Sequence, residues 1–128
     1  MFLPLQSLLL ILIVGAPAIP AVLILRTLGP WSAPVAVLTY VILYGLVAGL
    51  LSRPFRGSIQ AGRFDRDLKT KLYRGRRLYN FCWTMISYCP PILHVFLSVP
   101  VLKRTLMRLF GAPGMAHATF YPDTWLRD

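Results

Sequence analysis

Glutamate is missing altogether, and the four acidic residues among 128 are all aspartate. Charged side chains of both signs make up only 14% of the chain, against about a quarter in soluble domains. Too few charges remain to coat the surface of an ordinary water-soluble globule. Acid–base catalysis has few candidates in such a composition. No nucleophile elbow, phosphate loop or paired carboxylate site is found. Cys82 and Cys89 stand seven apart, a spacing that fits no zinc motif. They read as buried free thiols on the reducing side. His94 and His117 are the only histidines, and neither has a Ser, Cys or carboxylate partner at a recognisable spacing. The sequence therefore displays no catalytic residue, no cofactor-binding residue and no metal ligand, and no cofactor is expected.

What is present is apolar and basic. Hydrophobic residues make up 56%, mean hydropathy is +0.61 and the formal charge is +10. A disordered basic tail would be poor in apolar residues, so a membrane protein is the first expectation. The charge is not spread evenly. Residues 1–25 carry none, Arg26 stands alone, and 27–52 again carry none. Residues 53–77 hold nine basic residues and two Asp, net +7. Charge vanishes over 78–102 and returns from 103 to 128 at net +2.

A membrane-spanning helix needs about 20 apolar residues, because it rises ~1.5 Å per residue through ~30 Å of hydrocarbon. Residues 7–25, SLLLILIVGAPAIPAVLIL, form the first candidate, with Pro17 and Pro20 expected to kink it. Membrane helices tolerate prolines when neighbours re-satisfy the freed backbone groups. Residues 34–51, PVAVLTYVILYGLVAGLL, form the second. Gly29 and Pro30 stop the first helix, and Trp31 suits the headgroup level. Residues 1–52 thus read as a transmembrane helical hairpin. A secretory signal peptide competes for residues 1–21, but no basic segment precedes the apolar run.

The third apolar stretch, 78–102, is long enough to span, yet Pro90 and Pro91 stand in its middle and Pro100 near its end. Consecutive prolines remove two donors and force the preceding residue out of the helical region. Basic residues flank both sides: Arg74, Arg76 and Arg77 before, Lys103, Arg104 and Arg108 after. The positive-inside rule wants such flanks on one side. Residues 78–110 therefore read as re-entrant or interfacial helices rather than a third span. The same rule puts the basic linker 53–77, the N-terminus and the C-terminus in the cytoplasm.

The block RPFRGSIQAGRFDRDLKTKLYRGRR contains Arg53, Arg56, Arg63, Arg66, Lys69, Lys71, Arg74, Arg76 and Arg77. With Lys103, Arg104 and Arg108 it is the candidate surface for anionic lipid headgroups, each residue contributing about 1 kcal/mol. Fixing topology alone explains the same pattern, and phosphate contacts with nucleic acid are a distant third reading. Asp65 and Asp67 precede Lys69 and Lys71 by four, the favourable helical order, so a juxtamembrane helix is expected from about Asp65. VLKRTLMRLF at 101–110 places Leu102, Leu106 and Leu109 on one face and its cations largely away, the pattern of an interfacial helix. Packing against protein would produce the same pattern. GLVAG at 45–49 matches GxxxG, in which Gly45 and Gly49 admit a second backbone. Gly15, Ala18 and Ala21 of the first helix are its expected small partners, and simple glycine abundance in membrane helices is the plain alternative.

The tail GAPGMAHATFYPDTWLRD, after LMRLF, resembles the start of a hexapeptide-repeat, left-handed β-helix acyltransferase. The order of two apolar spans, the linker ending KLYRGRRLY, the helix LKRTLMRLFGA and the strand-like ATFYPDTWLRD is similar to the membrane-attached acyltransferase-like modules that end some peptide synthetases. The resemblance implies a membrane-anchoring region followed by an extended tail, 111–128, opening a β-helix, in a multi-pass protein of a bacterial inner (plasma) membrane. The parent activity it implies is transfer of an acyl or aminoacyl group. The [LIV]-G-x-x-x-x repeats and the coil carrying the catalytic histidine are absent, so no role passes to His117, and the 128-residue chain is expected not to be catalytic. The other expectation is a small membrane interaction subunit that binds a partner helix, or itself, and anionic lipid.

Overall fold

The chain's structure, a computed structural model, describes residues 2–59, 69–112 and 114. It is all-helical, and among the described residues there is no strand. Helix α1 covers Phe2–Leu28 and α2 covers Ala33–Ser52, joined by a 3-10 turn at Pro30–Ser32. A second 3-10 helix, Arg53–Ser58, continues α2. Then come α3 (Lys71–Ser87), α4 (Pro90–Ser98) and α5 (Pro100–Leu109).

Among the described residues two helical runs, Pro4–Leu28 and Pro30–Ser58, are long and apolar enough to cross a membrane, with hydropathies of 2.8 and 2.2 over their best windows, and α3 with α4 passes the same test only as a bent pair. Their residues leave few alternatives. In hydrocarbon each backbone N–H and C=O must pair within the segment, which a helix accomplishes. The helical assignment of α1 runs unbroken through Pro17 and Pro20, and the Pro17 ring is buried. Gly29 turns the chain at φ +79°, a left-handed conformation that glycine adopts without steric penalty. Pro30 and Pro34 follow in first-turn positions where a missing N–H is harmless.

Helix α1 buries Leu9, Ile13, Pro17 and Ala21, one residue in every four. Helix α2 buries Ala36, Tyr44, Ala48 and Ser52, again in steps of four or eight. These are the i±4 ridges along which helices interdigitate. Most of the remaining α1 surface is exposed and aliphatic, including Leu8, Ile11, Ile19, Val22 and Leu28. A contiguous apolar face of that kind needs lipid or protein to cover it.

The prolines divide the rest of the chain as their chemistry requires. Helix α3 stops before Tyr88 and Cys89, α4 begins at Pro90, and α5 begins at Pro100 after Val99. Helices α3 and α4 meet at 84°. The juxtamembrane helix starts at Lys71, and the expected pairs Asp65–Lys69 and Asp67–Lys71 involve residues outside those described, as do Arg63 and Arg66. The basic stretch 53–77 is shared out: its first six residues continue α2 and its last seven open α3. Residues 115–128, with His117 and most of the tail on which the β-helix resemblance rests, also lie outside the description.

Helix α2 is the hub and touches α1, α3, α4 and α5. Tyr44 and Ala48 share one buried cluster with Leu9 and Ile13 of α1, Cys82 and Ile86 of α3, Phe96 of α4 and Leu106 of α5.

Candidate functional site

The double proline that ends α3 leaves its last carbonyls short of donors. The Cys89 N–H turns back to Ile86 at 3.2 Å instead of reaching Met85. The Met85 carbonyl takes its proton from another helix: the Tyr44 hydroxyl of α2 donates to it at 3.0 Å. The corner between α3 and α4 is thereby tied to the hairpin. Tyr40, one turn earlier on α2, donates to the Val14 carbonyl of α1 at 3.3 Å.

Gly45 and Gly49 meet the returning helices. Any Cβ at Gly45 would overlap the Phe96 ring of α4. One at Gly49 would stand 2.8 Å from Leu109 Cβ of α5. Both glycines are buried. Their neighbours are thus large side chains of α4 and α5, whereas Gly15 of α1 has no atom within 4 Å of an added Cβ. While α4 and α5 stay docked, this glycine face has no room for a second helix.

The end of α5 is fastened in three ways. Gly111 at φ +81° and Ala112 donate back to Arg108 (3.2 Å) and Met107 (2.8 Å), the paired bonds of a Schellman turn. Arg56 reaches across from the 3-10 helix, and its Nη2 donates to the carbonyls of Arg108 (2.6 Å) and Leu109. A cation there also complements the negative end of the helix dipole. Tyr79 of α3 donates to the Phe110 carbonyl at 2.8 Å. Tyr79 and Trp83 pack edge-on against the Phe110 ring, with centroids 5.7 and 5.1 Å away.

The start of α3 returns to the same place. Gly75 is buried with Ser58 Oγ in the space a Cβ would need. Both ends of the α3–α5 unit therefore rest on Arg53–Ser58. Its middle, by contrast, sits beside Tyr44 and Gly45. Gly45 is eight residues before Arg53, about 12 Å along the helix axis at ~1.5 Å per residue.

The apolar face of α5 is spent on this packing. Leu106, Met107, Leu109 and Phe110 are buried and Leu102 is half-buried, so no apolar stripe of α5 is left to lie in lipid. The outward face carries Val101, Arg104 and Arg108. Arg53, Lys69, Lys71 and Arg77 are exposed, and Arg56, Arg74, Arg76 and Lys103 half-buried. Cys82 is buried and Cys89 half-buried, and both are free thiols. His94 is exposed on α4. Among the described residues no three His, Cys, Asp or Glu side chains gather to hold a metal ion.

The basic residues, the glycine pair and the proline break are visible in the sequence. Tyr44, Tyr79 and Phe96 as partners are not. A double proline signals that carbonyls need donors, but not which tyrosine supplies them. No protein-family model, no curated protein and no solved structure matches the chain.

Proposed function

We propose that this chain is a membrane-anchoring module: a transmembrane hairpin carrying a re-entrant helical insert that enters and leaves the bilayer from one side. The observation that supports it most is the return of both insert ends, at Gly75 and at Arg108–Leu109, to the helix Arg53–Ser58, with the proline corner beside Tyr44. Tyr44 is nine residues before Arg53, about 13 Å, less than half of a ~30 Å hydrocarbon layer. The side-chain donor at Met85 suits that depth, where water is scarce and an unmatched carbonyl is costly. Positive residues on both flanks orient the insert side towards the cytoplasm. In the acyltransferase-like parent implied by the tail, such a module would hold the transferase at the membrane.

Reporter fusions placed after Ile59 and after Ala112 test this reading. Both should report the cytoplasm. Opposite signals would make α3 and α4 a third span and end the re-entrant proposal.

A further inference from the structure

Three threonines keep their hydroxyl protons within their own helices. Thr27, Thr39 and Thr105 each donate to a carbonyl one turn back, at 2.9, 2.8 and 2.9 Å. Two polar side chains of α4 behave differently. His94 and Ser98 are both exposed, and neither has a hydrogen-bond partner among the described residues. Four residues apart, they share one face of the helix. That face lies opposite the buried side chains of Ile92 and Phe96.

Contacts near both ends fix the level of α4. The Met85 carbonyl, just before the corner, is bonded to Tyr44, and the Phe96 ring lies against Gly45. Gly45 is eight residues before Arg53, so α4 lies about 12 Å inside the level of Arg53, within hydrocarbon on the membrane-anchor reading. Helix α3 runs back along α2 from Ser58, beside Gly75, to Tyr44, beside Met85. Helix α4 leaves it at 84° and so runs across the layer rather than through it. An exposed imidazole and an exposed hydroxyl at that depth are costly without a partner. Serine and histidine in membranes form hydrogen bonds across helix–helix contacts.

The two groups are complementary to themselves. Copies inserted in one membrane share its sidedness, so a twofold axis between two of them runs along the bilayer normal. Such an axis makes helices that lie in the plane of the layer antiparallel, and residue i of one copy meets residue j of the other in both directions. His94 and Ser98 stand two residues either side of Phe96. An antiparallel pair centred there brings each histidine to the other copy's serine. Imidazole and hydroxyl each donate and accept, so two symmetric bonds satisfy all four groups.

We propose that the outward face of α4 is a dimer interface with a second copy of this chain, in which His94 of each copy bonds Ser98 of the other. This rests on the membrane-anchor reading. It uses a different face from Gly45 and Gly49, which Phe96 and Leu109 of the same chain already fill.

The test measures energy transfer between donor-labelled and acceptor-labelled full chains in phosphatidylcholine liposomes as added lipid dilutes them. Wild type should dimerise. H94L should weaken the dimer about tenfold, because both symmetric bonds are lost and each contributes about threefold. S98A should lose as much. H94S/S98H exchanges the two groups and should restore association, since each still meets the other across an antiparallel pair. That recovery separates a lost interface from a damaged fold. A wild type that stays monomeric at every dilution, or a dimer indifferent to H94L and S98A, overturns the proposal. An exchange variant no better than either single one overturns it equally. Carbonate extraction of native membranes separates the two readings. A monomer that stays in the pellet loses only the interface, whereas a chain that washes off loses the anchor as well.

Discussion

The Tyr44 hydroxyl lies 3.0 Å from the Met85 carbonyl and donates to it, so a residue of the second long helix supplies the hydrogen bond that Met85 loses when the Cys89 N–H turns to Ile86, the carbonyl that Pro90 has no N–H to serve. Sequence, break and packing meet in that contact. The prolines end α3, the ending orphans a carbonyl, and the orphan is satisfied only where α2 presents a phenol. It also fixes the end of α3 against α2 at Tyr44.

Tyr44→Phe should therefore destabilise the docked insert with little change in shape. A buried acceptor left without its donor loses about 1–2 kcal/mol, and membrane-buried hydrogen bonds fall near the lower figure. Tyr40→Phe removes a longer bond of 3.3 Å from a less buried residue and should lose less. Thermal unfolding of both variants in the same detergent gives the comparison. Equal midpoints for wild type and Tyr44→Phe would show that this bond does not hold the corner.

The glycine pair makes a steric prediction. Leucine at Gly45 must displace the Phe96 ring, and leucine at Gly49 must displace Leu109. Each single change should undock the helix it faces, and limited trypsin digestion should then cut at Arg104 and Arg108 well before the wild type is cut. Gly15→Leu is the control, since nothing stands within 4 Å of an added Cβ there. Protease resistance equal to wild type in Gly45→Leu would mean that α4 does not depend on close approach.

The two long apolar helices are legible in the sequence, because a charge-free run of that length has few other uses. The break is legible too, because a proline pair removes two donors wherever it stands. The glycines announced a close approach but not its partner. Small residues of α1 were expected, and large side chains from α4 and α5 fill the space, since Phe96 and Leu109 are 51 and 60 residues further along the chain. The amphipathic pattern of α5 reads in the sequence as an interfacial helix. Its apolar face turned out to pack on protein, because periodicity reports that a stripe will be covered and not by what.

Thiol chemistry offers an independent check on burial. Cys82 lies in the core and Cys89 at the half-buried corner. In native detergent solution a maleimide should modify Cys89 and spare Cys82, and both should react after denaturation. Rapid modification of Cys82 in the native protein would show that α3 is not packed on α2 as described.

The proline pair itself yields the furthest-reaching prediction. With Pro90→Ala and Pro91→Ala, residues 71–98 regain the donors that an unbroken helix needs. Such a helix of 28 residues would be about 42 Å long, enough to cross the bilayer. Length then favours a third span, while charge opposes it, because crossing would carry Lys103, Arg104 and Arg108 to the far side. The double alanine variant should accordingly show mixed topology in a reporter fused after Ala112, and adding Arg104→Gln and Arg108→Gln should shift it towards the outside. Neutralising the two arginines with the prolines intact should leave the reporter inside, since the broken insert has no span to offer. A reporter that stays inside in all three variants would show that neither prolines nor charge keep the insert on one side, and that its docking against Tyr44, Gly45 and Gly49 suffices.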